Sequence, residues 1–243
     1  MNIISFKAFP KNQNEENQIF DLLIIFKPFK PNPMQTTHKI HNLIILDESG
    51  SMNEIKASII TGFNEVVQTI KGVAINFPEQ EHLVTLITFN GFGIKTMIDN
   101  QSVEKLCEID GDKYIPDSMT PLYDAMGIGI NKLIKDSYGQ SDFNVLVTIL
   151  TDGEENASKE YTGKSIKKLV ESLKEKNWTF TYMGANHDVE KFASAIAINN
   201  TLLFEAEDND IKLMFEKEKK ARYFWSEKIH KKEDVKKFNY FQD

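Results

Sequence analysis

The sequence predicts an α/β fold: a doubly wound, mostly parallel sheet with one antiparallel edge strand. Three observations carry that prediction. Apolar runs of strand length, such as Leu43-Ile44-Ile45-Leu46 and Val145 to Leu150, are continuous and not alternating, as strands buried on both faces must be. Segments with apolar residues at helical spacing alternate with these runs. Asn90-Gly91 stands between two β-type runs, which is a hairpin signal and makes one pair antiparallel.

Residues 1–38 differ from the rest. They hold Pro10, Pro28, Pro31 and Pro33, several Asn and Gln, and one apolar run from Ile19 to Phe26, and they read as an N-terminal extension and linker. Met34, just ahead of the first core strand, is a second candidate for the start of translation. A domain is expected over 39–215. Its first strand ends in Asp47-Glu48-Ser49-Gly50-Ser51 and passes into a helix carrying Ile55, Ile59, Phe63, Val66, Val67 and Ile70. Leu83 to Phe89 is the next strand, paired through the Asn-Gly turn with Ile94 to Ile98. A polar stretch follows, with a weak helix expected near Val103 to Cys107. Pro121 opens a helix bearing Leu122, Met126, Ile128, Ile130 and Leu133. Val145 to Leu150 is a strand ending in Thr151-Asp152-Gly153. Then come a helix over Lys164 to Lys176, a strand over Trp178 to Met183, a short helix over Val189 to Ile198 and a strand over Leu202 to Phe204. A long charged helix begins near Asp210, and 216–243 form a charged helix and tail.

Composition bounds the function. With 243 residues, 41% hydrophobic and 27% charged, the chain is that of an ordinary soluble protein with a sizeable core. A net charge of −7 offers no basic excess for phosphates and argues against nucleic-acid binding. Cys107 is the single cysteine, which excludes an internal disulfide and a cysteine zinc site and fits a reducing compartment. No two of the five histidines have the i, i+4 spacing of a metal-binding helix. No stretch has the length of a membrane span or the form of a secretory signal, so the expected location is the cytoplasm, with no membrane partner.

The chemistry concentrates at strand ends. Asp47, Ser49 and Ser51 follow one buried strand, Asp152 follows another, and Thr120 stands in the loop feeding a helix. If the two strands are neighbours, all five come to one carboxyl edge, where open α/β sheets bind ligands. Two carboxylates and three hydroxyls are hard oxygen donors that suit magnesium, with manganese or calcium as alternatives, and not zinc or copper. The helix after Ser51 repels a cation through its dipole, which the two carboxylates must offset.

Asp47-x-Ser49-x-Ser51, Thr120 ahead of a helix, and Thr151-Asp152-Gly153 after a buried strand together resemble a von Willebrand factor A (VWA) domain. The set is similar to that family's metal-ion-dependent adhesion site (MIDAS), with all five positions filled, and the likeness runs from about Lys39 to Phe204. The resemblance implies that Ser49, Ser51 and Thr120 bind the metal directly or nearly so. It implies that Asp47 and Asp152 act closely, often through water, and that a Glu or Asp from another protein completes the shell. Without a secretory signal, the chain is more similar to intracellular bacterial VWA proteins, such as those of tellurium-resistance systems, than to secreted adhesins. Glu48, Glu154 and Glu155 flank the motif; pointing into solvent they would matter little, and ringing the metal they would disfavour an acidic partner.

Other signals are weaker. Gly163-Lys164-Ser165 resembles the end of a phosphate loop, but Ser158 fills its first glycine position, so a polar helix start is expected. Asp208-Asn209-Asp210 reads as a helix cap, His187 and Asp188 as an ordinary loop at the site's edge, and Cys107 as a small buried residue. Glu216 to Lys237 carries nine basic and five acidic residues around Tyr223, Phe224, Trp225 and Ile229. Three adjacent aromatics cannot all face one core from a helix, so this helix is a second candidate docking element. No nucleophile–base pair is evident. The expected function is divalent-metal-dependent binding of another protein; a phosphoester hydrolase using the same oxygen site is the alternative.

Overall fold

The computed structural model describes residues 37–236 and 238–241. The proline-crowded linker, the run from Ile19 to Phe26 and Met34 lie outside the described residues. The elements follow in the order β1 (His38–Asp47), α1 (Lys56–Asn76), β2 (Gln80–Asn90), β3 (Gly93–Ser102), α2 (Leu122–Asp136) and β4 (Phe143–Thr151). Then come α3 (Gly163–Lys174), β5 (Trp178–Gly184), α4 (Val189–Ala195), β6 (Asn200–Leu203) and α5 (Asp208–His230). The sheet order is β3-β2-β1-β4-β5-β6, and only β2–β3 is antiparallel. From β1 the chain moves outward to β2 and β3, then returns to lay β4 on the other side of β1. The reversal puts a crevice between the carboxyl ends of β1 and β4, the switch point of a doubly wound sheet.

The continuous apolar runs are explained by burial on both sides. Along β1, Leu43 and Ile45 enter a core with α2, α3 and α4, while Ile44 and Leu46 enter one with α1 and α5. The α1–α5 seam is tight. Gly62 faces the ring of Phe215, and a Cβ there would come within 1.9 Å of it, so glycine permits the close approach. The helix start at Gly163 is capped by Thr162 with Ser165 in a reciprocal capping box, which accounts for the phosphate-loop look-alike.

Beneath α5 the sheet is not wholly apolar. Asn42 on β1, His82 on β2, and Thr148 on β4 are buried on that face. Arg222, itself buried, reaches across: Nη1 donates to Asn42 Oδ1 at 2.6 Å and Nη2 to Thr148 Oγ1 at 3.2 Å. Its Nη2 lies 2.6 Å from Glu218 Oε1, one turn back along the helix and equally buried. Tyr240 OH donates to the same carboxylate oxygen at 3.2 Å. Burial, and secondarily the Arg222 charge, push His82 down to about 3, so its ring is neutral.

Two expectations are corrected here. Val103–Lys105 is a single 3₁₀ turn and not a helix through Cys107. Cys107 is exposed, not buried. Beyond the turn the chain runs irregularly, and Leu106 and Ile109 take the places against the core. In α5, Trp225 is fully buried with Nε1 donating to Thr179 Oγ1, while Phe224 is about half exposed, as helical spacing requires. Val235 and Tyr240 fold back from the end of α5 onto Ile40 and Leu146.

Candidate metal centre

Asp47 is the last residue of β1, and its carboxylate is held before any ligand is considered. Oδ1 accepts the Ser49 backbone N–H at 2.7 Å, and Oδ2 accepts the Thr151 hydroxyl at 2.5 Å. Its carbonyl accepts the buried Tyr114 hydroxyl at 2.5 Å. The first bond closes a local Asx-type turn that aims the following hydroxyls along the sheet edge. Ser49 Oγ lies 3.2 Å from Ser51 Oγ, which in turn donates to Asp152 Oδ1 at 2.6 Å. Asp152 follows β4 directly, so the pairing of β1 with β4 is what joins the two motifs.

Thr120 arrives from a third loop. Its N–H donates to Asn156 Oδ1 at 2.9 Å, and its carbonyl accepts the Asn156 N–H at 3.1 Å, a reciprocal clamp from the segment after β4. Gly153 lies between the loops: a Cβ there would come 3.4 Å from Thr120 Oγ1 and 3.6 Å from Ser51 Oγ. All five predicted residues, Asp47, Ser49, Ser51, Thr120 and Asp152, are therefore brought to one edge. Among the described residues no three His, Cys, Asp or Glu side chains form a ready-made metal cluster; the grouping here is two carboxylates with three hydroxyls. A cleft of about 190 Å³ opens beside Ser51 and Asp152.

The flanking acids do not behave alike. Glu48 is buried, and its Oε1 accepts the Ile115 N–H at 2.7 Å, so it braces the loop ahead of Thr120. Glu155 folds onto the start of α2 and its own loop, accepting the N–H groups of Tyr123, Ala157 and Ser158. Of the three, only Glu154 is exposed. The helix after Ser51 also differs from expectation. A 3₁₀ turn (Gly50–Asn53) intervenes and α1 starts only at Lys56. His187, at the same edge, donates from Nδ1 to Ala185 O at 2.6 Å, which leaves Nε2 to accept the Tyr182 hydroxyl at 3.0 Å.

Burial pushes Asp47 up to about 6 against the pull of its hydrogen bonds to Thr151 and Ser49, with the nearby Asp152 adding to the rise. Burial raises Asp152 as well. Two carboxylates that are costly to ionise, surrounded by hydroxyl oxygens, suit a small hard cation that would offset their charge. The donor set therefore fits magnesium.

A pH dependence follows with a definite sign. The folded value of Asp47 lies above the ordinary 3.8, so the folded chain binds this proton more readily. Its contribution favours folding below about pH 4 and is lost as pH rises through 6, a span of about 3 kcal/mol. In chelator, wild type is expected to gain about that much on Asp47→Asn between pH 7 and pH 4. Urea midpoints measured across the range check it, and parallel profiles for the two proteins would refute it.

Sequence reasoning missed Thr151, Tyr114 and Asn156 as supports. Thr151 stood inside the quoted motif. Tyr114 and Asn156 carry no local signal, because their partners are distant in sequence.

The comparisons with known proteins bear on the family and the fold. A sequence profile described as the von Willebrand factor type A domain matches residues 43–217. Among solved structures, proximal thread matrix protein 1 from the mussel byssus, with a zinc-occupied MIDAS motif, superposes with a TM-score of 0.51 at 12% identity. The match covers 77% of this chain and 46% of the mussel protein. The pilus adhesin SpaC from Lactobacillus rhamnosus GG, in its open conformation, superposes with a TM-score of 0.54 at 14% identity, over 76% of this chain and 30% of the adhesin. The chain thus spans less than half the length of these structures. No curated protein matches it in sequence. The chain belongs to the von Willebrand factor type A domain family.

Proposed function

We propose that this domain binds a divalent cation, magnesium first, and that it recognises another protein through that cation. The observation that carries the reading is the convergence of Ser49, Ser51, Thr120, Asp47 and Asp152 from three loops on one edge, linked by Ser51 Oγ to Asp152 Oδ1 at 2.6 Å. In this reading the three hydroxyls are direct ligands. Asp47 and Asp152 supply the balancing charge and orient the hydroxyls through the bonds they already make. When bound, the cation supplies a partly neutralised, Lewis-acidic charge that a carboxylate of the partner can complete. With VWA domains serving mainly in protein interaction, this makes the chain an interaction or scaffold module. We place it in the bacterial cytoplasm, beside the VWA proteins of tellurium-resistance systems; the single-cysteine composition supports that location.

The test is calorimetric titration of the full chain with magnesium, manganese, calcium and zinc, the last because the mussel protein holds zinc at its MIDAS. Saturable magnesium binding by the wild type, absent in Ser49→Ala/Ser51→Ala, is the expected result. A folded wild type that binds none of the four ions would refute the metal centre.

A further inference from the structure

α1 and α5 lie side by side. Near their starts the Ser58 hydroxyl donates to Asp208, and further along the ring of Phe77 rests against Tyr223 with centroids 5.6 Å apart. Between these points the two helices do not close completely. Beyond the tight contact of Gly62 with Phe215, a groove of about 510 Å³ opens. Its walls include Gly72, Val73 and Asn76 of α1 and Lys219, Tyr223 and Phe224 of α5.

A glycine inside a helix weakens it relative to alanine. Gly62 has a reason within this chain, the Phe215 ring. Gly72 has none, because a Cβ there would meet no atom within 4 Å. The effect of its missing side chain is to deepen the groove. The facing wall is aromatic and already in place: Tyr223 is 38% and Phe224 49% exposed, and Tyr223 is seated on the buried Phe77.

The charge along the groove is opposite to that of the chain, which carries −7. Lys212, Lys217, Lys219 and Lys220 are all exposed on one stretch of α5. The acids of that stretch are Glu216, in the groove wall, and Glu218, which is buried against Arg222. Among the described residues the ion pairs of α5 belong to Arg222, Lys228, His230 and Lys231, and these four lysines make none. A second copy seated through the same face would set lysine against lysine, which is repulsive. A membrane surface takes a protruding basic face, whereas the recess at Gly72 takes a protruding segment.

We propose that the α1–α5 groove docks an amphipathic segment of another protein. Its large apolar side chains enter the groove over Gly72, and Asp or Glu residues beside them meet Lys219 and Lys220. α1 runs from the loop of Ser51 to the start of β2, about 30 Å for its 21 residues, and the groove is lined by its last turns. Docking there is remote from the proposed metal centre and needs no cation.

Random short peptides displayed on phage and panned on the full chain in chelator test it. The expected outcome is clones that combine large apolar residues with Asp or Glu and that bind equally well in magnesium. For a selected peptide, Gly72→Leu is expected to weaken binding about tenfold or more, because it fills the groove. The same change is expected to leave the urea midpoint unchanged or higher, since the new side chain enters open space on a helix. Lys219→Glu/Lys220→Glu is expected to weaken binding to a similar degree. Selected peptides without acids, or peptides that both variants bind as well as wild type does, would overturn the proposal. So would a wild-type dimer in sedimentation that Gly72→Leu dissociates, which would make a second copy the occupant. Capture by phosphatidylserine vesicles that Lys219→Glu/Lys220→Glu abolishes would overturn it in favour of a membrane surface.

Discussion

Arg222→Ala is expected to lower the free energy of unfolding by about 3–5 kcal/mol, the largest effect of any single change considered for this chain. The cost comes less from lost attraction than from what stays behind. Glu218 would remain fully buried with only the Tyr240 hydroxyl, at 3.2 Å, left to satisfy Oε1. Its Oε2 already lacks a partner among the described residues. Asn42 Oδ1 and Thr148 Oγ1 would lose their donors on the sheet. Taking both charges away is a different matter: Glu218→Leu/Arg222→Met removes the desolvation penalty along with the pair and is expected to cost clearly less than the single change, the remainder coming from the unpaired Asn42, Thr148 and Tyr240 groups. Urea unfolding of the single and double variants, each compared with wild type, separates these effects. A single-variant cost below about 1 kcal/mol would mean that water reaches the pair and that the layer beneath α5 is not dry.

Asp152→Asn is expected to reduce magnesium affinity by at least about 100-fold, since it removes one of two balancing charges. The same change is expected to leave the metal-free protein as stable as wild type or more so. The amide oxygen still accepts from Ser51, and Asp47 is relieved of a neighbouring negative charge that now helps to raise it. Opposite signs for affinity and metal-free stability are the mark of a site arranged for a cation. A loss of stability that matches the loss of affinity would instead make Asp152 a structural acceptor. Magnesium titration and unfolding in chelator, on the same preparations, read the two quantities.

How much of this was legible in the sequence depends on the range of the interaction. The runs 43–46 and 145–150 announced strands buried on both faces, and the Asn90-Gly91 turn announced the antiparallel pair, because these are local patterns. The convergence of the five candidate residues on one edge was legible because each sits at an element boundary, where the pattern changes. The polar layer beneath α5 was not. Thr148 is β-branched and fits a strand as well as its apolar neighbours do, so its buried hydroxyl gave no sign. The i, i+4 spacing of Glu218 and Arg222 reads equally as a solvated surface pair. Cys107 came out exposed because no helix formed to carry it inward. The roles of Tyr114 and Asn156 depend on partners many residues away, which periodicity does not register.

The central place of β1 also sets the order in which this molecule can assemble. Leu43 is flanked by Thr85 on one side and by Val147 on the other, so the first strand waits for a partner that the chain supplies much later. The bond from Thr151 to Asp47 closes a loop of 104 residues. Closing so long a loop costs chain entropy before any contact repays it, which makes the docking of β4 a late event in folding. The oxygen cluster exists only once that docking is complete. A cation bound there would act on the finished state, so on the proposed function magnesium is expected to slow unfolding and to leave the refolding rate nearly unchanged.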